Sequence, residues 1–251
     1  MAGEVGPPAA DATDVAPWTY ERMAALVAEL RAHGLEIAAI ENISSAHWHD
    51  VLLDGPLRDA QMDGLARFVR DAGRAGVPCI GYNFSIAGVW GWRRRRIARG
   101  QATTVELEAA AFDADAPIPD GMVWNMRYRA ARPGLPPVSV SDAELWDRLG
   151  RFLKELVPVA EEAGVVLAAH PDDPPMVRLR GTARLVNRPE KYRRLLGIVD
   201  SPANAAELCI GSLQEMAGGD VYAITREIAA RGRVAYVHFR NVRGKVPRYH
   251  E

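Results

Sequence analysis

The chain has 251 residues, 48% hydrophobic and 25% charged, so there is apolar material for one large core and the composition is that of an ordinary globular protein. Lys+Arg 31 against Asp+Glu 32 gives a formal net charge of -1, which excludes the globally basic surface of a nucleic-acid or anionic-membrane binder. Two cysteines, Cys79 and Cys209, exclude a disulfide framework. With no apolar run near the ~18 residues of a membrane span and no signal-peptide core at the start, a cytoplasmic location is expected.

Residues 1–17 are small, acidic and proline-containing, and are expected to be a disordered lead-in. Residues 18–33 carry Met23, Leu26, Val27 and Leu30 at helical spacing and stop at Gly34. Residues 35–40 then read as a buried strand ending in Glu41-Asn42, and residues 43–56 as a loop holding His47, Trp48, His49 and Asp50. Residues 57–75 form a second amphipathic helix, with Met62, Leu65, Phe68 and Val69 on one face, and residues 77–84 the next strand. Helices alternating with buried strands across short Gly-marked joints predict a parallel α/β fold.

From residue 85 to 140 the alternation breaks. Trp90-Gly91-Trp92, the run Arg93-Arg94-Arg95-Arg96 and a Pro/Gly-rich stretch are too long for a structureless loop, and predict a lid-like insertion with some helix of its own. The Arg run reads as a solvated face, or as a device that concentrates an anionic substrate. Ser141 with Glu144 gives an N-cap signature for a helix over 145–163. Another helix is expected over 187–196, with Pro189 in its first turn, and a third over 221–230.

Three short apolar runs in this second half each lead into a possible metal ligand. Residues 165–169 run into His170, 206–208 into Cys209 and 234–237 into His238. In parallel α/β barrels chemistry sits where such strands end, so three donors at three strand ends point to one site. Two imidazoles and a thiolate suit a divalent transition ion such as Zn, Fe or Mn, not Ca or Mg. Spacings of 39 and 29 residues are too long for a zinc finger and suit separate βα units.

At this point the residues resemble a known family. His170-Pro171-Asp172-Asp173-Pro174-Pro175, Leu208-Cys209-Ile210-Gly211-Ser212 and His238-Phe239-Arg240-Asn241-Val242 resemble, in order, the signature segments of mannonate dehydratases. Tyr82-Asn83-Phe84 before a Trp-containing loop and Leu185-Val186-Asn187 resemble the family too, so the likeness runs from about residue 35 onward. The resemblance implies a (β/α)8 TIM barrel of the xylose-isomerase-like kind that binds Mn or Fe. It also implies a hydro-lyase that converts the sugar acid D-mannonate to 2-keto-3-deoxy-D-gluconate in glucuronate catabolism.

By that resemblance the metal ligands are His170, Cys209 and His238. The family's first strand, its later Asp ligand and its last strands have no counterpart among these residues. The expectation is therefore a partial barrel over 18–251 with about five strands, truncated at both ends. A metal-dependent sugar isomerase or epimerase of the same fold, and an inactive fragment, stand as alternatives.

Around the expected ligands, Asp172 and Asp173 could hold a His tautomer or bind substrate hydroxyls; otherwise they form a solvated turn. Arg240 and Asn241 could grip a sugar-acid carboxylate and hydroxyls, or lie on the surface. Asn83 is a candidate substrate contact and Tyr82 a core residue, with Cys79 serving packing only. Glu41-Asn42 to His49-Asp50 loosely resembles a family Glu then His pattern, which makes His49 a further substrate-binding candidate. The acid and base of the reaction are not assigned to residues, no nucleic-acid or membrane partner is expected, and a homodimer is compatible with the fold.

Overall fold

The computed structural model describes residues 10–11, 18–132 and 134–251. Most of the expected disordered lead-in therefore lies outside the described residues; within it, Ala10–Asp11 pair in parallel with Met126–Arg127. In chain order the main elements are α1 (Tyr20–Ala32), β1 (Ile40–Glu41), α2 (His49–Leu53), α3 (Arg58–Ala75), β2 (Cys79–Tyr82), β3 (Trp92–Arg96), β4 (Thr103–Glu108), α4 (Asp142–Ala163) and β5 (Val166–Ala169). They continue with α5 (Pro189–Ile198), β6 (Asn204–Cys209), α6 (Ile210–Glu215), α7 (Val221–Ala230), β7 (Val234–His238), β8 (Arg243–Lys245) and β9 (Arg248–His250).

Five strands form one parallel sheet in the order β7-β6-β5-β2-β1, so each strand neighbours the next one in the chain. This is the wrapping of a (β/α)8 barrel, of which five strands lie among the described residues against the eight that close one. The sheet curls strongly enough that Glu41, at the end of β1, reaches His238, at the end of β7, at 3.2 Å. Helix α4 covers the outside of the arc. Its buried Leu145, Leu149, Phe152, Leu156 and Ala160 recur at helical spacing, and Phe152 meets Tyr82 of β2 with ring centroids 5.2 Å apart. The expected capping box is present: Ser141 Oγ accepts from the Glu144 amide, and the Glu144 carboxylate accepts from the Ser141 amide.

Several expectations change. The strand expected over 35–40 pairs only at Ile40–Glu41, and Leu35 is 56% exposed, because β1 is an edge strand bonded to β2 alone. Residues 43–56 are not plain loop but contain a 3-10 turn, Ser45–His47, and α2. Among the described residues, the helix in the insertion is limited to two 3-10 turns, Arg99–Gln101 and Ala109–Ala111, and its main element is a β-hairpin: β3 pairs antiparallel with β4, and β9 and β8 join it in the order β8-β9-β4-β3. In that register Arg93 lies opposite Glu106 and bonds Glu106 and Glu108 at 3.2 and 2.9 Å, so the Arg run is partly neutralised across the hairpin. Leu107, Tyr249 and Val242 form its own small core. Among the described residues, no helix is long and apolar enough to cross a membrane.

Helices α3 and α4 pack tightly at one crossing. A Cβ at Gly73 would sit 2.2 Å from the carbonyl oxygen of Ala163, a backbone atom with no room to move, whereas at Gly64 in the same helix nothing but the Arg67 guanidinium lies within 3.8 Å. Gly73→Ala is expected to lower stability by about 1–3 kcal/mol through overpacking, despite a helix-propensity gain of ~1 kcal/mol. Gly64→Ala should raise stability by up to ~1 kcal/mol. Urea unfolding of the two variants beside the parent checks both signs.

Candidate metal centre

Strands β5, β6 and β7 deliver the three expected donors to the mouth of the arc. Along β6 and β7 the pairing runs Ala206 with Val234, then Glu207 with Tyr236 and Cys209 with His238, so Ala235 is one extra residue on β7. A bulge of this kind shifts the pairing phase by one, which brings Cys209 and His238 side by side on one face. His170 follows β5, its ring centroid 5.4 Å from that of His238. Ligand atoms of His170, Cys209 and His238 lie within 4.8 Å of one another. An ion with bonds of ~2.0–2.3 Å holds tetrahedral ligand atoms about 3.3–3.8 Å apart, so the three donors need draw together by about an ångström at most.

The protonation pattern suits this use. The Nδ1–H of His170 donates to the Pro171 carbonyl at 2.6 Å, which leaves Nε2 for the site. Burial pushes the His170 imidazole down, but its hydrogen bond to Cys209 and the charges of Cys209, Glu207 and Asp173 outweigh burial and raise it to about 9. Burial likewise pushes the Cys209 thiol up, but His170, Arg240 and Ser212 outweigh it and bring it to about 6. Without an ion the pair is an imidazolium beside a thiolate. The Ser212 amide donates to Sγ (3.5 Å), and the Ser212 hydroxyl lies 3.2 Å from it.

A second donor group shares His238. Its Nε2 lies 3.2 Å from Glu41 and 3.1 Å from Glu207, and Glu207 is fully buried with its carboxyl raised chiefly by burial. Glu207 is missing from the sequence-based candidates. It was readable as a charge inside an apolar strand two residues before Cys209, hence on the same face.

Above the donors lies a cleft of about 310 Å³ walled by Glu41, Asn83, Trp92, Trp124, Asp173 and Arg240, among others. Asn83 is fixed by donating to Pro171 O (3.1 Å) and accepting from Trp124 Nε1 (3.2 Å). The acidic turn is not solvated: both of its aspartates are buried, with opposite uses. Asp172 points away from the cleft, bonded to the Val186 amide at 2.8 Å and to buried Arg184 at 3.2 Å. Asp173 faces the cleft and accepts from Ser212 (3.1 Å), Tyr249 (3.2 Å) and Arg240.

Two further candidates lie elsewhere. His49 opens α2, where its ring stacks on Tyr128 at 3.9 Å and bonds Ser45 O at 3.0 Å, outside the cleft. Asn241 is exposed and does not wall the cleft. Tyr82 and Cys79 are buried as expected of packing residues, and burial beside Glu207 pushes the Cys79 thiol up to about 12.

A curled parallel arc with its donor-lined cleft at the carboxyl ends of the strands is the mouth of an α/β barrel of the xylose-isomerase-like class. A solved xylose isomerase domain protein from Planctomyces limnophilus shares that fold, with a TM-score of 0.52 over 93% of this chain and 64% of its own at 10% identity. A family model for D-mannonate dehydratase (UxuA) matches residues 137–251. The mannonate dehydratase of Streptococcus equi subsp. zooepidemicus is 32% identical over 238 residues, 90% of this chain and 63% of its own length. The crystal structure of the mannonate dehydratase from Streptococcus suis serotype 2 superposes with a TM-score of 0.76 at 30% identity, over 96% of this chain and 66% of its own. The chain is thus similar to mannonate dehydratases over most of its own length, and it spans about 63% of the length of that curated relative.

Ligation must displace the His170 proton wherever that proton is present. With the imidazole at about 9 and the thiol at about 6, one proton leaves per ion bound between these values, two below about 6 and none from this pair above about 9. Affinity for Co(II) should therefore rise about tenfold per pH unit from pH 6 to 9 and level off above. Calorimetric titration across that range, in buffers that do not bind the ion, gives the slope.

Proposed function

We propose that the chain forms the metal-holding mouth of a hydro-lyase that converts D-mannonate to 2-keto-3-deoxy-D-gluconate. The observation that carries this reading is the convergence of His170, Cys209 and His238 at the ends of three adjacent barrel strands, in a chain similar to mannonate dehydratases. The donor chemistry fits a divalent transition ion, with Mn or Fe the expected occupant: two imidazoles, one presented by a fixed tautomer, and a thiolate drawn below its ordinary range. When bound, such an ion supplies a Lewis acid that polarises a substrate oxygen.

The chain's own residues account for the rest of the binding. The cleft is walled by the acids Glu41, Asp173 and Glu251, and Arg240 is already bonded to Asp173 and Glu251. An anionic sugar acid would meet net negative charge there unless a cation occupies the donor cluster. Asn83, its amide pinned between Pro171 and Trp124, offers a fixed polar edge to hydroxyls, and Trp92 and Trp124 bring hydrophobic walls that exclude water.

The test is metal content of the purified protein by elemental analysis, with activity followed as formation of the 2-keto-3-deoxy acid from D-mannonate. Close to one Mn or Fe per chain is expected, lost in both His170→Ala and Cys209→Ala. Chelation should abolish product formation and Mn should restore it. An ion retained in both variants, or turnover indifferent to chelation, would sink the assignment.

A further inference from the structure

We infer that Arg240 is a positioning residue that seats the Cys209 sulfur for the metal, not the arm that grips the substrate carboxylate. The inference rests on the proposed metal site and deepens it. A guanidinium has five N–H groups, and here four of them donate to protein partners. Nε–H points at Cys209 Sγ at 3.4 Å. Nη2 donates to Ser212 Oγ at 2.9 Å and to Asp173, while Nη1 donates to Glu251 and lies 3.1 Å from the buried Glu215 carboxylate. Turning to a substrate carboxylate would mean giving up Asp173, Glu251 and the sulfur for one new partner, and would strand the buried Asp173 carboxylate without its cation.

The fit around the side chain points the same way. A Cβ at Gly211 would lie 2.4 Å from both Cγ and Nε of Arg240, so the chain from Cys209 to Ser212 leaves room for the Arg240 stem at the one position where a methyl group would expel it. The guanidinium end is pinned and cannot swing aside to make space. Arg240 Nε–H and the Ser212 amide both donate to the sulfur, with Ser212 Oγ 3.2 Å from it, while His170 and His238 bring their own ligand atoms within 4.8 Å of it. Hydrogen bonds to a ligating thiolate withdraw electron density from it and fix its direction, which is how outer partners of a metal ligand set both affinity and electronic structure.

The linkage extends to the lid. Trp92 of β3 donates to Tyr249 (3.0 Å), Tyr249 to Asp173 (3.2 Å), and Asp173 receives Arg240, which reaches Cys209. The hairpin above the cleft thus holds the same guanidinium that holds the sulfur.

The Co(II)-substituted protein tests this through its thiolate-to-cobalt charge-transfer band and its Co(II) dissociation constant. In Arg240→Lys, which keeps the charge but loses the fork, the band should move to longer wavelength as the sulfur loses its Nε–H, and Co(II) should bind about 10–100-fold more weakly. Gly211→Ala, which retains Arg240 but displaces it, should shift the band the same way, so either variant that keeps its near-UV circular dichroism suffices. A band and affinity unchanged in folded variants would overturn the inference and return Arg240 to the substrate. Absence of the band in the parent would instead overturn the metal site itself, and this inference with it.

Discussion

One extra residue in β7 sets the register on which the site depends. Parallel neighbours in register point paired side chains the same way, so each one-residue slip moves a whole set of side chains to the opposite face. Counting forward from the Ala206–Val234 pair without the bulge, Cys209 would face Val237, and His238 would point toward the helices. Ala235 takes up that slip in the first half of β7. Beyond it Glu207 stands beside Tyr236 and Cys209 beside His238, all turned into the arc. The bulge precedes the donors by only a few residues, so the strand stays regular where it must hold them.

The same alternation explains why the inside of the arc is polar and small while its outside is apolar and large. Tyr82 and Phe152 meet on the helix-covered side, and Tyr192 of α5 donates its hydroxyl to the carbonyls of Ala169 and Glu207 from that side. On the inner side the Tyr236 hydroxyl approaches β2 so closely that a Cβ at Gly81 would lie 2.1 Å from it and 2.8 Å from a Glu207 oxygen. Only glycine at that position lets a tyrosine from β7 and a glutamate from β6 share the space between the two ends of the sheet. Burying Glu207 there is costly for its charged form; His170, the Tyr236 hydroxyl and His238 offset part of that cost, while the Glu41 charge adds to it.

What was legible in the sequence follows from this physics. His170, Cys209 and His238 each terminate a run that must be a buried strand, and strand ends in such a fold share one rim, so their meeting could be read without coordinates. The helices at 20–32, 58–75 and 142–163 were legible because each has an apolar stripe and a clear stop. Less legible was anything defined by a partner far along the chain. Residues 35–39 have the composition of a buried strand, yet with pairing on one side only, at Ile40–Glu41, all five lie outside the sheet. In 103–108 the alternation of Val105 and Leu107 with Thr104 and Glu106 is a strand signal. It was overshadowed by the neighbouring Arg run, whose counter-charges lie across the hairpin and so look unpaired in one dimension. Arg240 looked available because Asp173, Glu215 and Glu251, which surround it, are scattered over 67, 25 and 11 residues of separation.

Asp173 is where these distant pieces meet. One carboxylate oxygen accepts from Tyr249, which carries the hairpin through Trp92; the other accepts from Ser212 and Arg240, which both touch the Cys209 sulfur. The buried Glu215 alongside is pushed up to about 9, chiefly by its own burial and then by the Asp173 charge, so near neutral pH it sits protonated and leaves Asp173 as the principal anion opposing the guanidinium. A single buried carboxylate thereby connects the cleft's roof to its metal-facing sulfur through short, directional bonds. A displacement of the hairpin that breaks the Tyr249 contact leaves that oxygen unsatisfied in a buried setting, a penalty of ~1–3 kcal/mol. The roof and the thiolate are therefore held in one arrangement by the cost of every other.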